Sequence, residues 1–194
     1  MGLGILGGAF DPPHLGHVAL ARRAIAHFGL DRLLVRVVAA PAHREVEASP
    51  EERLDLTRLA FADVPEAEVS LDPFRRTVDS LVALGLDDPV FVIGADQLVA
   101  FPSWHDPDRV LELARLGVAA RPGVARPEVD AVIAQLSRPE RVELFELEPL
   151  PISSSDVRKR TGRGEPLADL VPARVAEEIG QRGLYREASR LHSE

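Results

Sequence analysis

The chain has no cysteine, which excludes a disulfide framework, a thiolate metal site and a cysteine nucleophile. Asparagine is also absent, and lysine occurs once, as Lys159; the rest of the 23 basic residues are arginine. With 16 prolines, this composition resembles that of heat-adapted or GC-biased proteins, which bears on origin and not on chemistry. No apolar run approaches the roughly 18–20 residues that a membrane span needs. No basic segment followed by an apolar one opens the chain, so a cytoplasmic location is expected. A basic excess is missing too. The net charge of −8 argues against a general nucleic-acid binder, which usually carries a basic face. A small anionic ligand remains compatible, because a few arginines and backbone N–H groups can make a local positive site.

What is present is an ordinary globular balance, 45% hydrophobic and 28% charged over 194 residues. That length suits one domain, expected over residues 1–186, with Glu187–Glu194 as a weakly ordered end. Apolar runs alternate with helical patterns. Leu3–Leu6, Leu33–Ala39, Glu68–Leu71, Val90–Ile93, Leu116–Ala120 and Val142–Leu147 have the composition of strands. Between them, Val18–Phe28, a helix beginning at Ser49-Pro50, Val78–Leu84, Asp106–Ala114, Pro127–Leu136, Ser153–Arg160 and Pro172–Gln181 have helical spacing or helix start signals. This alternation predicts an α/β fold: a single Rossmann-like, doubly wound, mostly parallel sheet with helices on both faces. Ligands of such folds sit at the carboxyl ends of the strands. Three unusual stretches fall there: Gly7–His17, Gly94-Ala95-Asp96 and Ile152-Ser153-Ser154-Ser155.

The literal match of Gly2-Leu3-Gly4-Ile5-Leu6-Gly7 to G-x-G-x-x-G carries no weight, because its glycines lie in or before the first strand. The His14-Leu15-Gly16-His17 element carries more. Histidines three apart at a helix start share one face, and Gly16 would let a ligand approach the backbone. With the free N–H groups of a first helical turn they could bind a phosphoryl group. A pair of satisfied core or surface histidines is the plainer alternative.

Gly7-Gly8-Ala9-Phe10-Asp11-Pro12-Pro13-His14-Leu15-Gly16-His17 resembles the signature of the H-x-G-H nucleotidyltransferase superfamily. Ile152-Ser153-Ser154-Ser155-Asp156-Val157-Arg158 resembles its second signature, I-S-S-T-x-x-R, with serine for threonine. Within the superfamily the chain is most similar to the bacterial nicotinate-nucleotide adenylyltransferases. That similarity rests on Gly94–Leu98, Phe101, Trp104, Arg121-Pro122-Gly123, Leu170-Val171-Pro172 and Gly183-Leu184-Tyr185. The resemblance implies adenylyl transfer from ATP to nicotinate mononucleotide, with Mg²⁺ accompanying the ATP and no dedicated metal cage on the protein. It implies His14, His17 and Arg158 as catalytic residues. ATP would also meet Gly7, Gly8, Ala9, Phe10, Gly94, Asp96, Ile152, Ser153, Ser154 and Ser155. Asp96 would bind the ribose hydroxyls, with a helix N-cap as its alternative. Trp104 would stack on the pyridine ring unless it is plain core packing. Arg44, in Pro41-Ala42-His43-Arg44, would meet the mononucleotide phosphate unless it is a solvated surface residue.

One departure stands out. The family's S-Y-T segment, which helps recognise the nicotinate carboxylate, is shortened here to Arg75-Arg76-Thr77, with only Thr77 left to bind the acceptor; Arg75 or Arg76 could compensate by charge pairing. The rival readings are another H-x-G-H enzyme, such as phosphopantetheine adenylyltransferase, or a nucleotide-binding module without turnover. A class I aminoacyl-tRNA synthetase fragment is disfavoured by the missing K-M-S-K-S-type loop. No nucleic-acid or membrane partner is expected, and a homo-oligomer is left open.

Overall fold

The computed structural model describes residues 2–41, 45–120, 127–148 and 150–186. Among these residues six strands form one sheet: β1 (Gly2–Gly8), β2 (Leu30–Val38), β3 (Ala67–Asp72), β4 (Val90–Gly94), β5 (Arg115–Ala120) and β6 (Val142–Glu146). Their order is β3-β2-β1-β4-β5-β6, and every pairing is parallel, so the expected mostly parallel sheet is wholly so. The order reverses between β1 and β4. There the connections from the two strands leave in opposite directions and open a crevice above their carboxyl ends.

Among the described residues, eight α-helices cover the sheet: α1 (Leu15–Phe28), α2 (Pro50–Ala60), α3 (Thr77–Leu84), α4 (Ala95–Ala100), α5 (Pro107–Leu113), α6 (Pro127–Gln135), α7 (Ser154–Gly162) and α8 (Ala173–Arg182). The two-residue strand period divides the core. Leu6, Val90 and Val92 point to one face, where they pack with Ala21 of α1, Leu56 of α2, Val157 of α7 and Ile179 of α8. Ile5, Phe91 and Ile93 point to the other, against Leu81 of α3, Leu98 of α4, Val110 of α5 and Val129 of α6. β4 is buried from Val90 to Ile93 because it is central and covered on both sides.

Local signals explain the ends of these elements. Ser49 caps α2 reciprocally: Glu52 N–H donates to its Oγ at 3.2 Å, and Ser49 N–H donates to Glu52 Oε2 at 2.8 Å. Gly29 ends α1 in the left-handed region, at φ 58°.

Two boundaries differ from expectation in ways that matter for the site. β1 continues through Gly7 and Gly8, so these glycines belong to the strand and not to the loop. A Cβ at Gly8 would come within 3.1 Å of the buried Phe10 ring, which would have to shift to admit one. α1 begins at Leu15 and not Val18, because His14 takes the N-cap position in extended backbone. His17 therefore stands in the first helical turn.

Candidate active site

The opening loop, Ala9–His14, is held from beneath by two residues to which the sequence reading assigned no role. Asp11 is 2% exposed; its Oδ2 accepts Glu47 N–H at 2.7 Å, and its Oδ1 accepts Ala48 N–H at 3.1 Å. Its Oδ1 also accepts the Tyr185 hydroxyl at 2.8 Å. Arg53, fully buried on α2, donates to the carbonyls of Ala9 (2.6 Å), Val38 (2.9 Å), Ala39 (2.7 Å) and Ala48 (3.2 Å). Burial lowers the Arg53 pKa and Asp11 opposes that shift; a guanidinium stays charged through such perturbation. One cation thus gathers the chain beyond β1 and β2 and the start of α2 into a single rigid corner. A signal for Arg53 was available. It lies three residues before Leu56 and seven before Ala60, on the stripe of α2 that faces the core.

On that corner sit the two histidines. Their rings are 3.7 Å apart between centroids and tilted by 30°. His17 also meets the edge of Phe10 at 4.9 Å. Phe10 is 2% exposed and has φ 49°, so its side chain is the platform beneath His17 and only its backbone can face a nucleotide. His14 N–H donates to His17 Nδ1 at 3.1 Å. Because Nδ1 accepts, the ring proton of neutral His17 resides on Nε2.

His14 is lowered to a pKa of about 4, chiefly by burial and against the pull of Asp156, so it is neutral at pH 7. Its Nδ1 has no hydrogen-bond partner. Gly16 serves this ring directly: a Cβ at position 16 would lie 3.0 Å from His14 Nδ1. The expected reason for Gly16, close approach of a ligand to the backbone, thus gains a second one within the protein.

α7 delivers the second signature to the same place. Ser154 Oγ donates to the Pro12 carbonyl at 2.8 Å, and Arg158 Nη1 donates to the Asp11 carbonyl at 2.6 Å. Arg158 Nε also donates to Glu47 Oε1 at 2.6 Å. The hydroxyl of Ser153 is committed to the helix cap, since it donates to Asp156 Oδ2 at 2.6 Å and accepts Asp156 N–H at 3.1 Å. An anion at this helix start would therefore meet the exposed Ser155 and the backbone N–H groups of the first turn, more than the hydroxyls of Ser153 or Ser154. Ile152 lies just before that turn and is half-buried.

Beyond β4, Gly94 caps α4 and faces open space, because a Cβ there would meet nothing within 4 Å. Asp96 is exposed in the first turn of α4 and does not cap it, which removes the alternative of a helix N-cap. Gly7 makes only ordinary contact with Phe91, 3.5 Å from where its Cβ would be. Trp104 is half-buried, its ring meeting Phe91 at 6.2 Å and Phe101 at 5.3 Å in edge-on contacts. Thr77 opens α3 and is half-buried. Arg44, Arg121-Pro122-Gly123 and the end from Glu187 to Glu194 lie outside the described residues.

Comparisons with known proteins show the family and the fold. A model of the family described as cytidylyltransferase-like matches residues 5–160. A probable nicotinate-nucleotide adenylyltransferase of Roseiflexus sp. is 39% identical, covering 95% of this chain and 98% of its own. The probable enzyme of the same name from Bordetella avium is 36% identical over 96% of this chain and 98% of its own. The chain belongs to the nicotinate-nucleotide adenylyltransferase family. The resemblance read from the two signatures and the shorter islands is borne out. The fold is shared with a Plasmodium falciparum nicotinic acid mononucleotide adenylyltransferase complexed with NaAD, at a TM-score of 0.77 and 15% identity, covering 95% of this chain and 97% of that one. Among the described residues no helix is long and apolar enough to cross a membrane.

Proposed function

We infer that this chain transfers the adenylyl group of ATP to nicotinate mononucleotide, forming the deamido dinucleotide and releasing pyrophosphate. A phosphate oxygen of the mononucleotide attacks the α-phosphorus of ATP while the bond to the bridging oxygen of the β-phosphate breaks. The attacking phosphate monoester is largely dianionic at pH 7, its second pKa being about 6, so no proton has to be removed from it. Catalysis then consists of alignment and of stabilising charge on the transferring and leaving phosphates.

The oriented Nε2–H of His17 carries this reading. It is set by the 3.1 Å bond at Nδ1 and stands in the corner that Ser154 and Arg158 join to α7. His17 serves as donor to the α-phosphate and neutral His14 as a second donor. Arg158, Ser155 and the α7 start receive the outer phosphates, with arginine able to do so bidentately. Asp96 binds the ribose hydroxyls in the space before Gly94, Trp104 stacks on the pyridine ring, and Arg44 meets the acceptor phosphate. The catalytic unit comprises residues 1–186, acting in the cytoplasm.

Among the described residues no group of three or more His, Cys, Asp or Glu side chains is placed to hold a metal ion, and both Asp11 oxygens already accept hydrogen bonds. This donor set suits a cation carried by the substrate. Bound with ATP, Mg²⁺ is held by phosphate oxygens and water and neutralises phosphate charge.

The test is pyrophosphate release with ATP, Mg²⁺ and one acceptor at a time: nicotinate mononucleotide, nicotinamide mononucleotide or phosphopantetheine. Turnover with phosphopantetheine alone would overturn the assignment. His17→Ala is expected to lower kcat by about 10²–10³-fold, as loss of a transition-state donor does.

A further inference from the structure

Arginine is almost the sole cation of this chain, and nearly every described arginine is spent on the fold. Among the described residues, each has a carboxylate within 4.0 Å or donates to a backbone carbonyl, with two exceptions, Arg75 and Arg76. The two are adjacent, exposed, and placed between β3 and α3, in the shortened segment.

They do not sit on a loose loop. Asp72, 5% exposed at the end of β3, accepts Phe74 N–H on Oδ1 at 3.1 Å and the Ser80 hydroxyl on Oδ2 at 2.6 Å. Its carbonyl accepts Ala39 N–H at 2.9 Å. One buried carboxylate thus ties the strand end, the turn and α3 together. Arg76 takes the N-cap position of α3 in extended backbone, and its Nη1 donates to His105 Nε2 at 3.2 Å. A guanidinium has no acceptor, so the histidine nitrogen accepts and the full charge of Arg76 is retained. His105 directly follows Trp104, whose ring is held by Phe91 and Phe101. One hydrogen bond thus links the Arg76 cation to the residue that follows Trp104 in the chain.

Nicotinate differs from nicotinamide in one group, a carboxylate in place of a carboxamide. A guanidinium rewards the carboxylate with charge-assisted hydrogen bonds and can accept nothing from the amide NH₂. The geometry points to Arg76, oriented by His105, as the residue that selects the nicotinate carboxylate of an acceptor whose ring lies on Trp104. This rests on the adenylyltransferase reading above and assigns to a side-chain cation the selection for which the family's S-Y-T segment is not retained.

The experiment measures kcat/KM for nicotinate mononucleotide and for nicotinamide mononucleotide at saturating ATP and Mg²⁺. In the unaltered protein nicotinate is preferred. In Arg76→Gln that preference falls about 10–100-fold, the range expected on losing a hydrogen bond to a charged group, with the KM for ATP unchanged. Arg76→Lys recovers part of the preference, and His105→Ala raises the KM for nicotinate mononucleotide with little change in kcat. Because Trp104 is the sole tryptophan, quenching of its fluorescence gives the two acceptor Kd values without turnover. An Arg76→Gln protein that melts normally and keeps the full preference in both assays overturns the role of Arg76 alone. An unaltered protein with no nicotinate preference overturns the acceptor reading and this inference together.

Discussion

The Tyr185 hydroxyl donates to Asp11 Oδ1 at 2.8 Å, a bond between residues 174 positions apart. It fastens the chain beyond α8 to the loop that leads to His14 and His17. Burial first, and then the neighbouring Asp11 charge, push the Tyr185 pKa well above the usual phenol range, so the tyrosine remains a donor at any working pH. Tyr185→Phe should cost about 1.5–3 kcal/mol, as expected for a hydrogen bond to a charged group. At about 2–4 °C per kcal/mol for a domain of this size, thermal unfolding should show a clear fall in Tm. An unchanged Tm would mean that Asp11 is held without Tyr185.

Arg53 should be hard to replace. Arg53→Leu leaves four carbonyls without their donor. Each buried acceptor left unsatisfied costs about 1–3 kcal/mol. Arg53→Lys should recover little, because a point charge with three donors cannot span the same carbonyls. Urea unfolding of both variants checks this; a lysine variant of native stability would show that charge alone suffices.

His14 should make stability depend on pH in a defined window. The unfolded imidazole titrates near 6.5, while the folded one stays neutral down to about 4. Between these values the unfolded chain binds more protons, so the stability present above pH 6.5 is lost as the pH falls toward 4. The loss is of order 3 kcal/mol. His14→Asn should flatten this part of the profile, which is read as the difference between the two proteins in urea midpoints from pH 4 to 7. Parallel profiles would mean that His14 is protonated in the folded state.

Glu47 should compete with ATP for Arg158. Its carboxylate accepts from Arg158 Nε at 2.6 Å and is itself largely exposed. An exposed pair is worth about 0–1 kcal/mol, so Glu47→Gln should lower the KM for ATP by no more than about 5-fold. Arg158→Ala should raise it, and initial rates at varied ATP separate the two. A higher KM in Glu47→Gln would show that the pair positions Arg158 rather than restrains it.

Much of the fold was legible because it is encoded locally. The Ser49-Pro50 start of α2, the Gly29 and Gly85 helix ends and the all-apolar Val90–Ile93 strand each follow from a few neighbouring residues. The limits of β1 and α1 were less legible. Gly7 and Gly8 have weak strand propensity and are carried by parallel pairing with Arg36 and Val37, while the N-cap role of His14 depends on backbone conformation.

The site divides in the same way. His14, Gly16, His17 and Ser153–Arg158 fall in two short contiguous stretches, so the resemblance to the two signatures could be read from the chain. The chain itself therefore disclosed the fold class and the family. What only folding decided is how those residues are held. Asp11 gains its meaning from Tyr185, Glu47 and Ala48; Arg53 gains its own from the carbonyls of Ala9, Val38, Ala39 and Ala48; Arg76 meets His105 only because the start of α3 reaches the segment between α4 and α5. A buried charge is tolerated only where every donor and acceptor finds a partner, and in this protein most of those partners come from distant parts of the chain.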